Sequence, residues 1–194
     1  MKRICVFCGS AVGHRPAHAD SARRLAALLV SRGLELVFGA GHIGLMGVLA
    51  DAVLAGKGRV VGVIPQALVD RELAHHNLSE LHVVETMHQR KALMADLSDA
   101  FVALPGGYGT LDELFEILTW AQLGIHRKPV GLLNVEGFFD PLLSWIRHAS
   151  DEGFLKPKHL DLLNVASTPE GLLDVLARHE PSPEVTKWAD PEQR

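Results

Sequence analysis

No stretch of this sequence is apolar for the roughly 20 residues that a membrane-spanning helix needs. It opens with Met-Lys-Arg and then only Ile4 to Cys8 before a glycine, too short an apolar core for a signal peptide. A cytoplasmic location with no membrane partner is expected. A basic excess is missing as well. The formal net charge is −4, from 19 Lys and Arg against 23 Asp and Glu. A duplex-binding face is not expected, and no nucleic acid is assigned as a partner. Cysteine is scarce, at two residues. Cys5 and Cys8 have C-x-x-C spacing, but they lie in the apolar run ICVFC and not at a helix N-terminus, where a thiol pKa is lowered. On a strand, positions 5 and 8 point to opposite faces, so two buried core cysteines are expected. Eleven histidines include no HExxH, and adjacent His75 and His76 diverge on any element. Neither a metal nor a cofactor is expected.

What is present is a chain of 194 residues, 47% hydrophobic and 22% charged, the length of one domain with a sizeable core. Short β-rich runs at 3–8, 34–38, 59–64, 81–84, 100–104, 129–133 and 162–166 alternate with helical patterns near 16–32, 43–55, 87–97, 109–123, 138–152 and 169–179. The runs are almost continuously apolar, which marks strands covered on both faces. The expectation is a single α/β domain over 1–180, doubly wound and Rossmann-like, with a mostly parallel sheet flanked by helices. The polar stretch 181–194, with three prolines, is expected to be a C-terminal tail. In such sheets ligands bind beyond the carboxyl ends of the strands. Gly9-Ser10, 39–44, 88–91 and 105–110 fall there.

The strongest signal is PGGYGTLDE at 105–113, between a strand and a helix. Gly106, Gly107 and Gly109 let backbone N–H groups approach an anion, and the helix start adds unpaired donors. No Lys-Ser or Lys-Thr follows the last glycine, so it is not a Walker A loop. The bland alternative is a tight turn in which Thr110 and Glu113 form a capping box. The second signal is MHQRK at 87–91, with Thr86 and Gln89 spaced as a capping box. That spacing puts His88, Arg90 and Lys91 near the positive end of a helix, an unfavourable place for cations. An anionic ligand there would offset the cost, and Arg90 can grip phosphate in a planar fork. A third stretch, Gly39 to Gly44, matches G-x-G-x-x-G, but the next strand ends Ile64-Pro65-Gln66 with no acid to hold a ribose. Packing of the following helix, or a second wall of a nucleotide site, is the better reading.

Taken together, MHQRK and PGGYGTLDE resemble the LONELY GUY family of cytokinin riboside 5′-monophosphate phosphoribohydrolases. The resemblance extends over about 3–180 and includes CGS at 8–10, GLMG at 44–47 and TWAQLGIHRKPVGLLNV at 119–135. Older labels call this family lysine decarboxylases, yet no lysine here stands in a recognisable pyridoxal phosphate context. The resemblance implies hydrolysis of the N-glycosidic bond of N6-substituted AMP, and of AMP itself, to free base and ribose 5-phosphate. It implies Arg90 and Glu113 as the catalytic pair. It also implies substrate contacts at Glu72, Lys91, Thr119 and the loop Gly107, Tyr108, Gly109 and Thr110, beside Gly9, Ser10 and Gly106 from the sheet-edge reading. It implies a homodimer. Where the family often reads three glycines, this chain has Ala40 in the middle, and that methyl group is expected to narrow base tolerance. A non-catalytic nucleotide-binding module and a nucleoside (deoxy)ribosyl transferase stand as alternatives.

Overall fold

Seven parallel strands form one sheet in the order β4-β3-β2-β1-β5-β6-β7 in the computed structural model, which describes residues 1–71 and 73–180. The strands are β1 (Arg3–Phe7), β2 (Glu35–Phe38), β3 (Val60–Pro65), β4 (Glu80–Val84), β5 (Ala100–Ala103), β6 (Val130–Leu133) and β7 (Leu163–Ala166). The helices are α1 (Pro16–Ser31), α2 (Gly44–Ala55), α3 (Gln66–Val69), α4 (Met87–Asp96), α5 (Tyr108–Gln122), α6 (Asp140–Asp151) and α7 (Pro169–Ala177). The doubly wound sheet expected from the apolar runs is the observed architecture. The short α3 is an addition, since its four residues are too few for a periodic signal. The proline-containing stretch 181–194 and Glu72 lie outside the described residues.

The central strands are buried along almost their whole length, because helices cover both faces. One core layer joins Ile4, Val6, Leu36 and Phe38 to Leu25 and Leu29 of α1, Leu45 and Leu49 of α2, and Leu172 of α7. The other joins Phe7, Val37, Val63 and Phe101 to Met94 of α4 and Leu114 and Ile117 of α5. Cys5 belongs to the second layer and Cys8 to the first, as strand alternation predicts. Burial pushes both thiols well above their ordinary range, so they are inert packing groups.

Local chemistry sets the helix starts. The Thr86 Oγ1 accepts from the Gln89 N–H at 3.1 Å, and the Gln89 side-chain oxygen accepts from the Thr86 N–H at 3.3 Å. This is the expected capping box of α4. Thr168 caps α7 in a similar way, through the Gly171 N–H. Pro16, Pro141 and Pro169 stand in the first turns of their helices, where no amide donor is needed.

Candidate active site

β1 and β5 are neighbours in the sheet, yet the helices that follow them cover opposite faces. The crevice beyond their carboxyl ends is therefore a topological switch point. Two loops meet there. The Gly9 N–H donates to the Pro105 carbonyl at 3.1 Å. A side chain on Gly106 would come 2.1 Å from the Thr110 Oγ1 and 2.9 Å from the Gly9 amide nitrogen. Gly106 thus serves close packing beneath the site. Gly107 and Gly109 face open space, so an approaching ligand meets bare backbone.

α5 begins at Tyr108, with Gly107 as its N-cap and no side-chain cap. The capping-box alternative for Thr110 and Glu113 therefore fails. Thr110 lies inside the first turn and Glu113 lies beyond it, where a carboxylate cannot reach a cap. Both side chains are buried. The first-turn N–H groups of this 15-residue helix remain available at the cavity.

Arg90 comes from the other direction, on α4. Its Nη2 donates to the Glu113 Oε1 at 3.2 Å, and each residue is only 8% exposed. Nη1 lies 3.8 Å from the Met87 sulfur. Nε is buried with no hydrogen-bond partner among the described residues. A buried guanidinium N–H without an acceptor is costly, and none of the described residues offsets that cost at Nε. Burial raises the Glu113 carboxyl to about 7, against the lowering influence of Arg90. A carboxyl held near neutrality beside a fixed positive charge is suited to work on a reacting centre.

The cavity around this pair has a volume of about 290 Å³. Gly9, Ser10, Gly39, Gly41, Gly107, Tyr108, Gly109 and Thr110 form its polar rim with Arg90 and Glu113. The apolar part of its lining is Ile43, Met46, Leu68, Leu73 and Met87. Sequence reasoning left that wall unidentified, since its members come from α2, α3, α4 and two loops. The G-x-G-x-x-G stretch forms part of the rim, in line with its reading as a second wall. Ala40 departs from expectation. Its methyl group is fully buried in the first core layer, and a side chain on Gly62 would meet it at 2.7 Å. It faces the core and not the cavity, so the predicted narrowing of base tolerance has no basis in this geometry.

Other expected contacts are placed elsewhere within one chain. Lys91 does not line the cavity. Its Nζ is held at 3.1 Å from both Asp112 and Glu116 of α5. Burial alone would lower the Lys91 pKa, but these two carboxylates raise it. A Schiff-base lysine needs the opposite, a lowered pKa. The pair Asp112 and Glu116, spaced four apart on α5, was the available signal for this anchor. Thr119 is exposed, and its hydroxyl donates to the Phe115 carbonyl at 2.7 Å. It opens onto a separate apolar groove of about 780 Å³ between α5, α6 and β7, where Trp145 and Phe154 are 56% and 82% exposed.

Residues 46–176 match the family model described as "Possible lysine decarboxylase". The cytokinin riboside 5′-monophosphate phosphoribohydrolase LOG1 of Arabidopsis thaliana is 51% identical over 191 residues, covering 96% of this chain and 90% of that protein. The chain belongs to the LONELY GUY family. The enzyme LOG of Oryza sativa subsp. japonica is likewise 51% identical, over 97% of this chain and 78% of its own length. Among solved structures, the molybdenum cofactor binding protein of Rippkaea orientalis has a TM-score of 0.69 at 22% identity, covering 91% of this chain and 96% of its own. The molybdenum cofactor carrier protein of Chlamydomonas reinhardtii has a TM-score of 0.68 at 18% identity, covering 91% and 96%. At these identities the likeness is one of fold.

Proposed function

We propose that this chain hydrolyses the N-glycosidic bond of cytokinin riboside 5′-monophosphates, and of AMP, to free base and ribose 5-phosphate. The observation that carries this reading is the buried Arg90–Glu113 pair, flanked by an open glycine loop and an apolar wall in one cavity. The names of relatives about half identical over nearly the whole chain support the same chemistry.

The 5′-phosphate lies on Gly107 to Thr110, taking the free N–H groups and the positive end of α5. That contact places the ribose over Glu113. As the C1′–N9 bond breaks, its electron pair leaves with the base and positive charge builds on the ribose ring. The Glu113 carboxylate stabilises that charge, as carboxylates do in glycoside hydrolysis. Water adds to C1′ and loses a proton, and the base takes one up. Arg90 acts as a fixed cation beside Glu113 in the lining of the cavity. The wall of Ile43, Met46, Leu68, Leu73 and Met87 receives the substituent on N6.

The exposed apolar groove supports a homodimer in which a second copy covers Trp145, Phe154 and Val165. In that arrangement Thr119 meets the partner and not the cavity of its own chain. No helix among the described residues is long and apolar enough to cross a membrane, and a cytoplasmic location is part of the proposal.

The test is base release from AMP and N6-isopentenyl-AMP, each against its unphosphorylated riboside. Release from the monophosphates alone is expected. No release from any of the four by folded protein would favour a nucleotide-binding module instead. Base exchange in the presence of added free bases would favour a transferase.

A further inference from the structure

We propose that Gly39 is a positioning residue, whose missing side chain is the space that holds the Arg90 guanidinium against Glu113. This rests on the reading of Arg90 and Glu113 as the catalytic pair. A Cβ built on Gly39 would stand 1.8 Å from the Arg90 Nη2, 2.7 Å from its Cζ and 3.3 Å from its Nε. Those are its three nearest neighbours, so the obstacle is this one group and not the backbone. Gly39 follows the last residue of β2, so the rigid sheet fixes the floor on which the guanidinium lies.

Backbone conformation does not explain the glycine. Gly39 is not among the positive-φ residues. Ala40, its neighbour, does have a positive φ of 57°, in the region that favours glycine. The chain therefore carries alanine where the backbone favours glycine, and glycine where no positive φ calls for it. Arg90 accounts for the second choice. Gly44 and Gly47 are different, because side chains there would strike backbone atoms of Ser10 and His42 at 2.2 and 2.1 Å. Those two serve the fold, whereas Gly39 serves a side chain that can move.

An alanine at 39 displaces the far end of a long side chain and breaks the 3.2 Å contact to Glu113. The test compares Gly39→Ala, Arg90→Ala and the double variant, with N6-isopentenyl-AMP as substrate. Gly39→Ala is expected to fold with a near-normal melting temperature and to lose about 10²-fold in kcat, the usual cost of misplacing a catalytic group by an ångström. In the Arg90→Ala background the same substitution should cost nothing further. Added guanidinium ion should restore part of the Arg90→Ala rate, and none in the double variant, where the methyl group fills the space. A crystal structure of Gly39→Ala should show the guanidinium displaced and the end of β2 in place. Should Gly39→Ala fail to fold, the double variant should fold, because the obstacle is gone; failure of both overturns the proposal. Normal kcat in Gly39→Ala, an equal loss with and without Arg90, or an unmoved guanidinium above a shifted loop also overturns it. Near-normal activity of Arg90→Ala would overturn the catalytic-pair reading instead, while the crystal structure still decides the role of Gly39.

Discussion

The Nη2 of Arg90 lies 3.2 Å from the Oε1 of Glu113, although the two residues are 23 positions apart and sit on helices that follow different strands. Neither helix alone gives its residue a role: α4 places a cation near its positive end, and α5 buries an acid past its first turn. Each supplies the charge that the other lacks.

Because Glu113 is raised to about 7, activity should depend on its ionisation. The carboxylate is the working form, so kcat/KM is expected to rise with pH through about 7 and then level. Glu113→Gln should lower kcat by about 10²–10⁴-fold and remove this limb. A pH profile with no inflection between 6 and 8 would count against the assignment.

The burial of Glu113 also affects stability. The folded chain holds this proton more tightly than the unfolded chain, whose carboxyl has the ordinary value of 4.5. Stability is therefore lost as pH rises from about 4.5 to about 7, and the loss is complete above that. Glu113→Gln should raise the melting temperature relative to wild type at pH 8 and much less at pH 5. The gain at pH 8 is bounded at about 3 kcal/mol, since a tenfold difference in proton affinity corresponds to about 1.4 kcal/mol. Calorimetry of both proteins across this range checks the sign.

Lys91 fastens α4 to α5 through Asp112 and Glu116. Lys91→Met removes a largely buried cation and leaves Glu116 without its partner. A loss of about 1–3 kcal/mol is expected, with urea unfolding as the measure.

Met87 and Leu73 border the apolar wall. Met87→Ala should reduce the preference for N6-isopentenyl-AMP over AMP by about tenfold, the scale set by lost methylene contacts in an apolar pocket. The AMP rate itself should change little. Equal losses for both substrates would place the N6 substituent elsewhere.

Phe154 is 82% exposed at the edge of the large groove. Phe154→Glu should convert a dimer to a monomer in sedimentation analysis. A dimer that survives Phe154→Glu and Trp145→Glu together would assign the groove another role.

Much of this molecule was legible in the chain. Almost continuous apolar runs at 3–8, 59–64 and 100–104 pointed to buried parallel strands, because strands covered on both faces leave no solvent-facing positions for polar residues. Thr86 and Gln89 set the start of α4, and glycine density at 106–109 marked the loop at the switch point. These are local properties, written in neighbouring residues. What only the tertiary structure decided is non-local. Whether Glu113 caps its own helix or faces Arg90 depended on where α5 begins. Whether Ala40 faces ligand or core depended on Gly62 of the next strand. The apolar wall draws on segments from residues 43 to 87, and the space above Gly39 has meaning only once α4 lays an arginine across it. Spacing along a chain encodes the period of one element, but the contact of two elements is set by how the sheet brings their ends together.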